Sequence, residues 1–135
     1  MFDIPVEPHQ FAIIQDHEDY MMAVEQSSIQ NKTLILEGKE YPVKQAWIYV
    51  QYPYPYYEQE HRQTGKKELV FSQWYLSYFS CVEKKSAIPV MKFYGKNREP
   101  IRELEFNIQS INDFEETPVD SVGELQLNEV CSKAS

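Results

Sequence analysis

The stretch AWIYVQYPYPYYEQEH, residues 46–61, contains a clear strand and the point at which that strand must end. Aromatic and β-branched residues are typical of strands, and successive side chains point to opposite faces. One face would carry Trp47, Tyr49 and Gln51, and the other Ala46, Ile48, Val50 and Tyr52. Both faces are therefore predicted to be covered.

Two prolines stop this strand. Pro53 and Pro55 lack a backbone N–H, and prolines at i and i+2 remove donors from the same strand edge. The chain should leave the sheet here as a stiff extended arm. Its side chains either pack on their own domain or contact another chain. In the second case the interface residues are Tyr52, Tyr54, Tyr56, Tyr57 and His61, because tyrosine offers a large contact area with few rotors.

Toward the N-terminus, TLILEGKEYPV reads as a hairpin around a turn centred on Gly38. Before it, QDHEDYMMAVEQSSIQ predicts a helix over 17–28, with Asp16 as the N-cap and acidic residues in the first turn. Tyr20, Met21 and Val24 would lie on its apolar face.

Toward the C-terminus, the apolar residues of FSQWYLSYFSCV recur at helical spacing, which predicts a helix over 71–82. IPVMKFYG reads as a strand with Pro89 near its start. IRELEFNIQSI alternates at Leu104, Phe106 and Ile108, as in a sheet with one solvated face. ELQLNEV indicates a last short strand through Leu125 and Leu127.

These elements predict one α+β domain, mostly antiparallel β, over residues 1–135. Residues 1–30 form an acidic N-terminal segment with a helix, and 31–111 a β-rich core with the helix near 71–82. Residues 112–135 form an acidic loop and the short terminal strand.

Charge is segregated along the chain, whose net charge is −8. Residues 1–30 hold six acidic residues and no Lys or Arg, and 112–135 hold six acidic residues and one Lys. The middle, 31–111, is slightly basic. Nucleic acid and anionic membranes are therefore poor partners. The segregation suits head-to-tail association, contact of a tail with its own body, or a solvated acidic periphery.

Two cysteines, Cys81 and Cys131, stand fifty residues apart without a CxxC motif, and they are predicted to be reduced. The N-terminus lacks the charged and apolar regions of a signal peptide, and no stretch of 18 apolar residues occurs. The predicted location is the cytoplasm, with export by a route that needs no cleaved signal as the alternative.

Two polar clusters are candidate reactive sites. DHEDY gathers Asp16, His17, Glu18 and Asp19, but consecutive residues of a helix do not share one face, and no metal site is predicted. YEQEH brings Glu58 and Glu60 beside His61, but a loop expected to be exposed would not tune their pKa values for acid–base catalysis. With no nucleophile elbow and no glycine-rich phosphate loop, the prediction is a protein that is not an enzyme and needs no cofactor.

Five fragments carry a family resemblance: LEGKEYPV (36–43), WYLS (74–77), MKFYGK (91–96), RELEFNIQSINDFEE (102–116) and LQLNEVCSKA (125–134). Taken in order, they resemble landmarks of the tube-forming family of type VI secretion, Hcp or TssD. The resemblance implies a small β-barrel or sandwich with one or two flanking helices, hexameric rings that stack into a tube, and no active site. In such rings the arm 51–61 would correspond to the loop that reaches the adjacent ring.

A second hypothesis belongs to another functional class. A monomeric acidic inhibitor, such as an immunity or anti-defence protein, would occupy a basic site on a toxin or a nucleic-acid enzyme. The net charge of −8 supports it, because complementary fields speed and steer association. The expected partner is thus either another copy of the chain or another protein.

Overall fold

The computed structural model describes residues 10–55 and 57–132. Its strands are β1 (Phe11–Asp16), β2 (Met21–Leu36), β3 (Lys39–Gln51), β4 (Glu58–Glu60), β5 (Lys67–Leu69), β6 (Ser72–Ser80), β7 (Lys85–Tyr94), β8 (Pro100–Glu105) and β9 (Glu115–Glu116). The α-helix is α1 (Val122–Cys131), and two short 3-10 turns span Lys96–Arg98 and Ile111–Asp113.

Seven strands form one antiparallel sheet in the order β1-β2-β3-β6-β7-β8, with β9 pairing with the start of β7. The sheet curls into a half-barrel, and β4 and β5 form a separate hairpin within the long β3–β6 connection, residues 52–71. This connection and the turns 17–20 and 95–99 lie at one end of the sheet, called the upper end below. The turns 37–38 and 81–84, together with β9, lie at the lower end. The predicted antiparallel α+β class is confirmed.

Helix α1 packs on the concave face of the sheet. Leu127 and Val130 from the helix meet the alternate, inward-pointing residues of the central strands. These inward residues include Met22, Val24, Ala46, Ile48, Val50, Tyr75, Phe79 and Phe93. The convex face carries a second apolar cluster, which includes Leu36, Val43, Trp47, Trp74, Leu76, Tyr78, Val90 and Phe114. Apolar burial on both faces is therefore the main force that holds the sheet.

The hairpin and strand predicted from residues 34–52 are confirmed. Strands β2 and β3 meet at a tight turn in which Gly38 has a φ of 77°, a conformation that glycine adopts without steric penalty. Ala46, Ile48 and Val50 face the concave core and Trp47 the convex cluster, as their alternation indicates. Strand β3 ends at Gln51, two residues before Pro53.

The helix predicted over 71–82 is wrong, because these residues form strand β6 in the centre of the sheet. Eight of the nine residues of β6 are buried, since α1 and its neighbours cover one face and the convex cluster covers the other. A strand that is covered on both faces does not alternate between apolar and polar residues. Its apolar residues can therefore also match the spacing of a helix. Tertiary burial and the aromatic content of Ser72–Ser80 favour the strand.

The helix predicted over 17–28 is also wrong. Residues 17–20 form the β1–β2 turn, where the backbone N–H of His17 donates to the carbonyl of Tyr20 at 2.9 Å. The following residues enter β2, which pairs with β1 on one side and β3 on the other. The acidic cluster therefore fills a turn rather than the first turn of a helix.

The terminal strand predicted through Leu125 and Leu127 is a helix instead. Ser121 caps it by accepting a hydrogen bond from the backbone N–H of Glu124 at 3.1 Å. Leu127 and Val130 are buried three residues apart, as in a helix, whereas Leu125 is 41% exposed. The alternation of Leu125 and Leu127 is thus coincidental.

The prediction of reduced cysteines is contradicted, because Cys81 and Cys131 form a disulfide. The bond joins the turn after β6 to the last residue of α1, and so connects the helix covalently to the sheet. Spacing along the chain could not indicate this pairing, since the two cysteines meet only when α1 packs on the sheet.

The strands predicted around residues 88–111 are confirmed with shifted bounds. Strand β7 begins at Lys85, and Pro89 lies where the β6–β7 register shifts, so its missing N–H breaks no regular pair. Strand β8 ends at Glu105, so Phe106 and Ile108 lie beyond it, and Phe106 is exposed rather than buried.

Tyr75 lies between the sheet and α1, where its hydroxyl accepts a hydrogen bond from Nε2 of Gln126 at 3.1 Å. Burial raises the pKa of Tyr75 well above its ordinary value of 10.0, although the hydrogen bond from Gln126 opposes this shift. Above about pH 10 the Tyr75 hydroxyl loses its proton in the unfolded chain but keeps it in the folded chain. The free energy of unfolding should therefore fall as the pH rises.

Replacing Tyr75 by phenylalanine should make this alkaline loss of stability shallower. Urea unfolding of both proteins at several pH values between about 9 and 11 measures the two slopes. Lysine titration contributes equally to both proteins. Parallel slopes would show that Tyr75 ionises as readily in the folded chain as in the unfolded one.

Candidate functional site

The β3–β6 connection places its tyrosines in different surroundings. Tyr52 is buried in the concave core, and its ring meets the ring of Tyr57 edge to face at 5.5 Å. The Tyr57 hydroxyl donates to Oε1 of Gln73 at 2.6 Å. Tyr54, which lies between the two prolines, is 81% exposed. Tyr56 lies outside the described residues.

The tyrosines predicted to form an interface fall into two groups, packed and exposed. Tyr52 and Tyr57 fold back on their own domain, which was one of the two possibilities left open by the sequence. Tyr54 projects from the upper end of the sheet, and it is the described tyrosine of the arm that has the area to contact another chain. The prediction of an interface therefore rests on Tyr54, and Tyr52 has little free surface to offer.

His61 is buried, contrary to the expectation of an exposed loop. It follows β4, and its Nδ1 accepts a hydrogen bond from the backbone N–H of Gln63 at 3.1 Å. Its Nε2 lies 3.7 Å from Oε1 of Glu99, which comes from the β7–β8 turn. The neighbouring N–H of Arg62 donates to the carbonyl of Ile101 at 3.0 Å and so attaches the connection to β8. The buried side chain has little surface for an interface.

The acidic residues of YEQEH do not form a reactive group with His61. Glu58 and Glu60 are exposed on β4, where they pair across the hairpin with Leu69 and Lys67. The carboxylate that does approach His61 belongs to Glu99, thirty-eight residues further along the chain. Only the folding of the β7–β8 turn against the β3–β6 connection brings these two residues together.

A cleft of about 380 Å³ opens beside His61. The β3–β6 connection forms one wall, and the upper ends of β7 and β8 form the other. Its lining includes Arg62, Lys92, Tyr94, Glu99, Arg102 and Glu103. We call this feature the arginine cleft, after Arg62 and Arg102.

Charges in the arginine cleft are only partly compensated. Nζ of Lys92 lies 3.5 Å from Oε1 of Glu103, and it also lies 5.5 Å from the centre of the Trp47 ring. The guanidinium groups of Arg62 and Arg102 make no ion pair or hydrogen bond within the described part of the chain. Lys96 and Arg98 are exposed on the adjoining turn. The lining thus carries three cationic side chains, Arg62, Lys92 and Arg102, against the two carboxylates of Glu99 and Glu103, a small excess of positive charge on an acidic protein.

Tyr94 borders this cleft, and burial raises the pKa of its hydroxyl, with a further contribution from the negative charge of Glu103. Like an ordinary tyrosine hydroxyl, it is protonated at neutral pH and can donate a hydrogen bond. Together with the two guanidinium groups, it equips the cleft to bind an anion.

The acidic cluster of residues 16–19 does not assemble around a metal position. In its turn, Nδ1 of His17 accepts a hydrogen bond from the backbone N–H of Asp19 at 3.1 Å. Within residues 10–55 and 57–132, no three His, Cys, Asp or Glu side chains are grouped so that they could hold a metal ion. None of the helices in this part of the chain is long and apolar enough to cross a membrane.

Comparisons with known proteins leave the site to be interpreted from its own geometry. No protein-family model, no curated protein and no solved structure matches the chain.

Proposed function

We propose that the chain is a non-enzymatic protein that binds protein neighbours through the upper end of its sheet, and that its main neighbour is another copy of itself. The exposure of Tyr54 carries this proposal. The ring is held on a segment stiffened by Pro53 and Pro55, while Tyr52 and Tyr57 on either side are packed into the domain. A rigid support reduces the entropy lost when an exposed aromatic side chain is buried at an interface.

The type VI secretion tube family gives this proposal its more specific form. In that form the half-barrel would belong to a closed barrel within a ring, and the Tyr54 arm would contact the next ring. The exposed position of the arm and its exit from the sheet support this form. The order of helices and strands lends no support, because WYLS lies on a strand and LQLNEV on a helix.

Replacing Tyr54 by serine should weaken self-association by about 100-fold, because an aromatic anchor at an interface is worth about 2–4 kcal/mol. The thermal unfolding of the domain should hardly change, since the side chain is exposed. Light scattering coupled to size-exclusion chromatography, over a range of concentrations, measures the association.

A matched control is Ile13→Ser, which replaces a 61% exposed apolar residue within the edge strand β1, away from the β3–β6 connection and from β9. This control should associate like the wild-type protein if the interface needs Tyr54 in particular and not any exposed apolar side chain. Unchanged association of the Tyr54 variant, or a large loss of its stability, would contradict the proposed interface.

The acidic inhibitor is the second candidate, and the β1–β2 turn favours it. Asp16, the last residue of β1, and Glu18 and Asp19 of the turn are all exposed at the upper end of the sheet. Such a cluster can steer association with a basic surface. A monomeric chain that forms a salt-sensitive 1:1 complex with a basic enzyme would support this candidate instead of self-assembly.

The disulfide also bears on where the protein acts. Disulfides persist in oxidising compartments and are rare in the cytoplasm. The Cys81–Cys131 bond therefore supports export, the alternative to a cytoplasmic location, and agrees with a protein that assembles outside the compartment of its synthesis.

A further inference from the structure

The arginine cleft contains two guanidinium groups that the folded chain does not neutralise. The sequence has 21 acidic residues against 13 Lys and Arg, so carboxylates are not scarce. Arg102 is nevertheless half-buried, and neither its guanidinium nor that of Arg62 has an ion pair or hydrogen bond within the described residues. A guanidinium group is well suited to bind a carboxylate through two parallel hydrogen bonds.

A pair of exposed carboxylates on adjacent residues lies at the other end of the same strand. Glu115 and Glu116 form β9, which pairs with Ser86 and Lys85 at the lower end of β7, whereas the cleft is built on Lys92–Tyr94. At about 3.4 Å per residue, the seven steps from Ser86 to Phe93 separate the two sites by about 24 Å. Both glutamates are exposed, and in the described part of the chain neither carboxylate has an ion pair.

This separation prevents one molecule from filling its own cleft with its own β9. Two different surfaces that complement each other at opposite ends of a molecule produce a head-to-tail contact rather than a symmetric dimer. Repetition of that contact forms an open stack, or a ring if the rotation between copies closes. A second copy therefore presents the group that this cleft suits.

We propose that the arginine cleft of one copy binds Glu115 and Glu116 of the next copy, with Arg62 and Arg102 as the residues that hold the carboxylates. The contact rests on the proposed self-association and specifies its chemistry and polarity. Tyr54 lies at the same upper end and supplies apolar area beside the ion pairs. The association should weaken as salt is added, because the carboxylates are held by charge.

Two charge-reversed proteins test this contact. Arg62→Glu with Arg102→Glu makes the cleft acidic, and Glu115→Arg with Glu116→Arg makes β9 basic. Each protein alone would bring like charges together, so its self-association should fall by about 100-fold. An equimolar mixture restores opposite charges at every contact and should recover association to within about threefold of the wild-type protein.

A control for net charge is Lys39→Glu, which reverses an exposed charge at the start of β3, outside the cleft lining and separated from β7 and β9 by β6, and should associate like the wild-type protein. Sedimentation velocity measures all samples, and circular dichroism confirms that each is folded. The contact is supported if both reversed proteins lose self-association and their mixture recovers it. If both lose self-association and the mixture does not recover it, the contact is wrong.

The outcome separates this inference from the proposed function. If the wild-type chain stays monomeric at every concentration, self-association itself is wrong, and the contact is wrong with it. A different result is that the wild-type chain associates, Tyr54→Ser prevents the association, and both reversed proteins still associate. In that case the proposed self-association holds, and the arginine cleft is not the binding site.

Discussion

Replacing Cys81 and Cys131 together by serine is expected to lower the free energy of unfolding by about 4 kcal/mol. The disulfide closes a loop across a sequence separation of 50 residues, and the chain entropy that such a loop removes from the unfolded state corresponds to this value. The bond also holds the last residue of α1 on the turn after β6. Without it, the helix depends on the burial of Leu127 and Val130 and on polar contacts.

Urea unfolding of the oxidised protein, the reduced protein and the double serine variant measures this effect. The reduced protein and the variant should have the same midpoint, well below that of the oxidised protein. A loss of less than about 1 kcal/mol, or two reactive thiols in the folded wild-type protein, would show that the bond contributes little or does not form.

Replacing Glu25 by alanine should lower the free energy of unfolding by about 3 kcal/mol. Glu25 is completely buried where the β2–β3 register shifts. Its Oε1 accepts hydrogen bonds from the backbone N–H groups of Gln10 at 3.0 Å and Ser27 at 2.9 Å, and its Oε2 accepts one from the Ser27 hydroxyl. Alanine would leave these three donors without the acceptor that the completely buried Glu25 side chain provides.

Glutamine is the conservative variant at this position, because its carbonyl oxygen can still accept from Gln10 and Ser27. Its cost should be about 1 kcal/mol. An exposed glutamate of β3 serves as the control, and Glu40→Ala should change stability by less than about 0.5 kcal/mol. Equal effects of alanine at Glu25 and Glu40 would show that the hydrogen bonds to Glu25 do not stabilise the register shift.

Some of the fold was predictable because its signals are local. The turn at Gly38 requires an unusual backbone angle, and the strand through Trp47 ends where two prolines remove donors. Strand β6 was not predictable in this way, because both of its faces are covered and its apolar residues show no strand period. The alternation of Leu125 and Leu127 imitates a strand, and the local sign of helix α1 is its N-cap, Ser121.

The arginine cleft could be predicted only in part. The YEQEH motif indicated that His61 lies among charged groups, but its carboxylate partner, Glu99, comes from a distant turn. Arg62 follows His61 directly, whereas Arg102 reaches the same cleft from β8. Nothing in the local sequence distinguishes these arginines from other surface residues. Their common feature, the absence of a partner in the described chain, exists only in the folded molecule.

The mass of the purified, oxidised wild-type chain as a function of concentration tests the account most directly. Light scattering coupled to size-exclusion chromatography should give a mass above 16.0 kDa that increases with concentration and decreases with added salt. A mass that stays at 16.0 kDa at every concentration and ionic strength would contradict the claim that this protein acts by binding copies of itself.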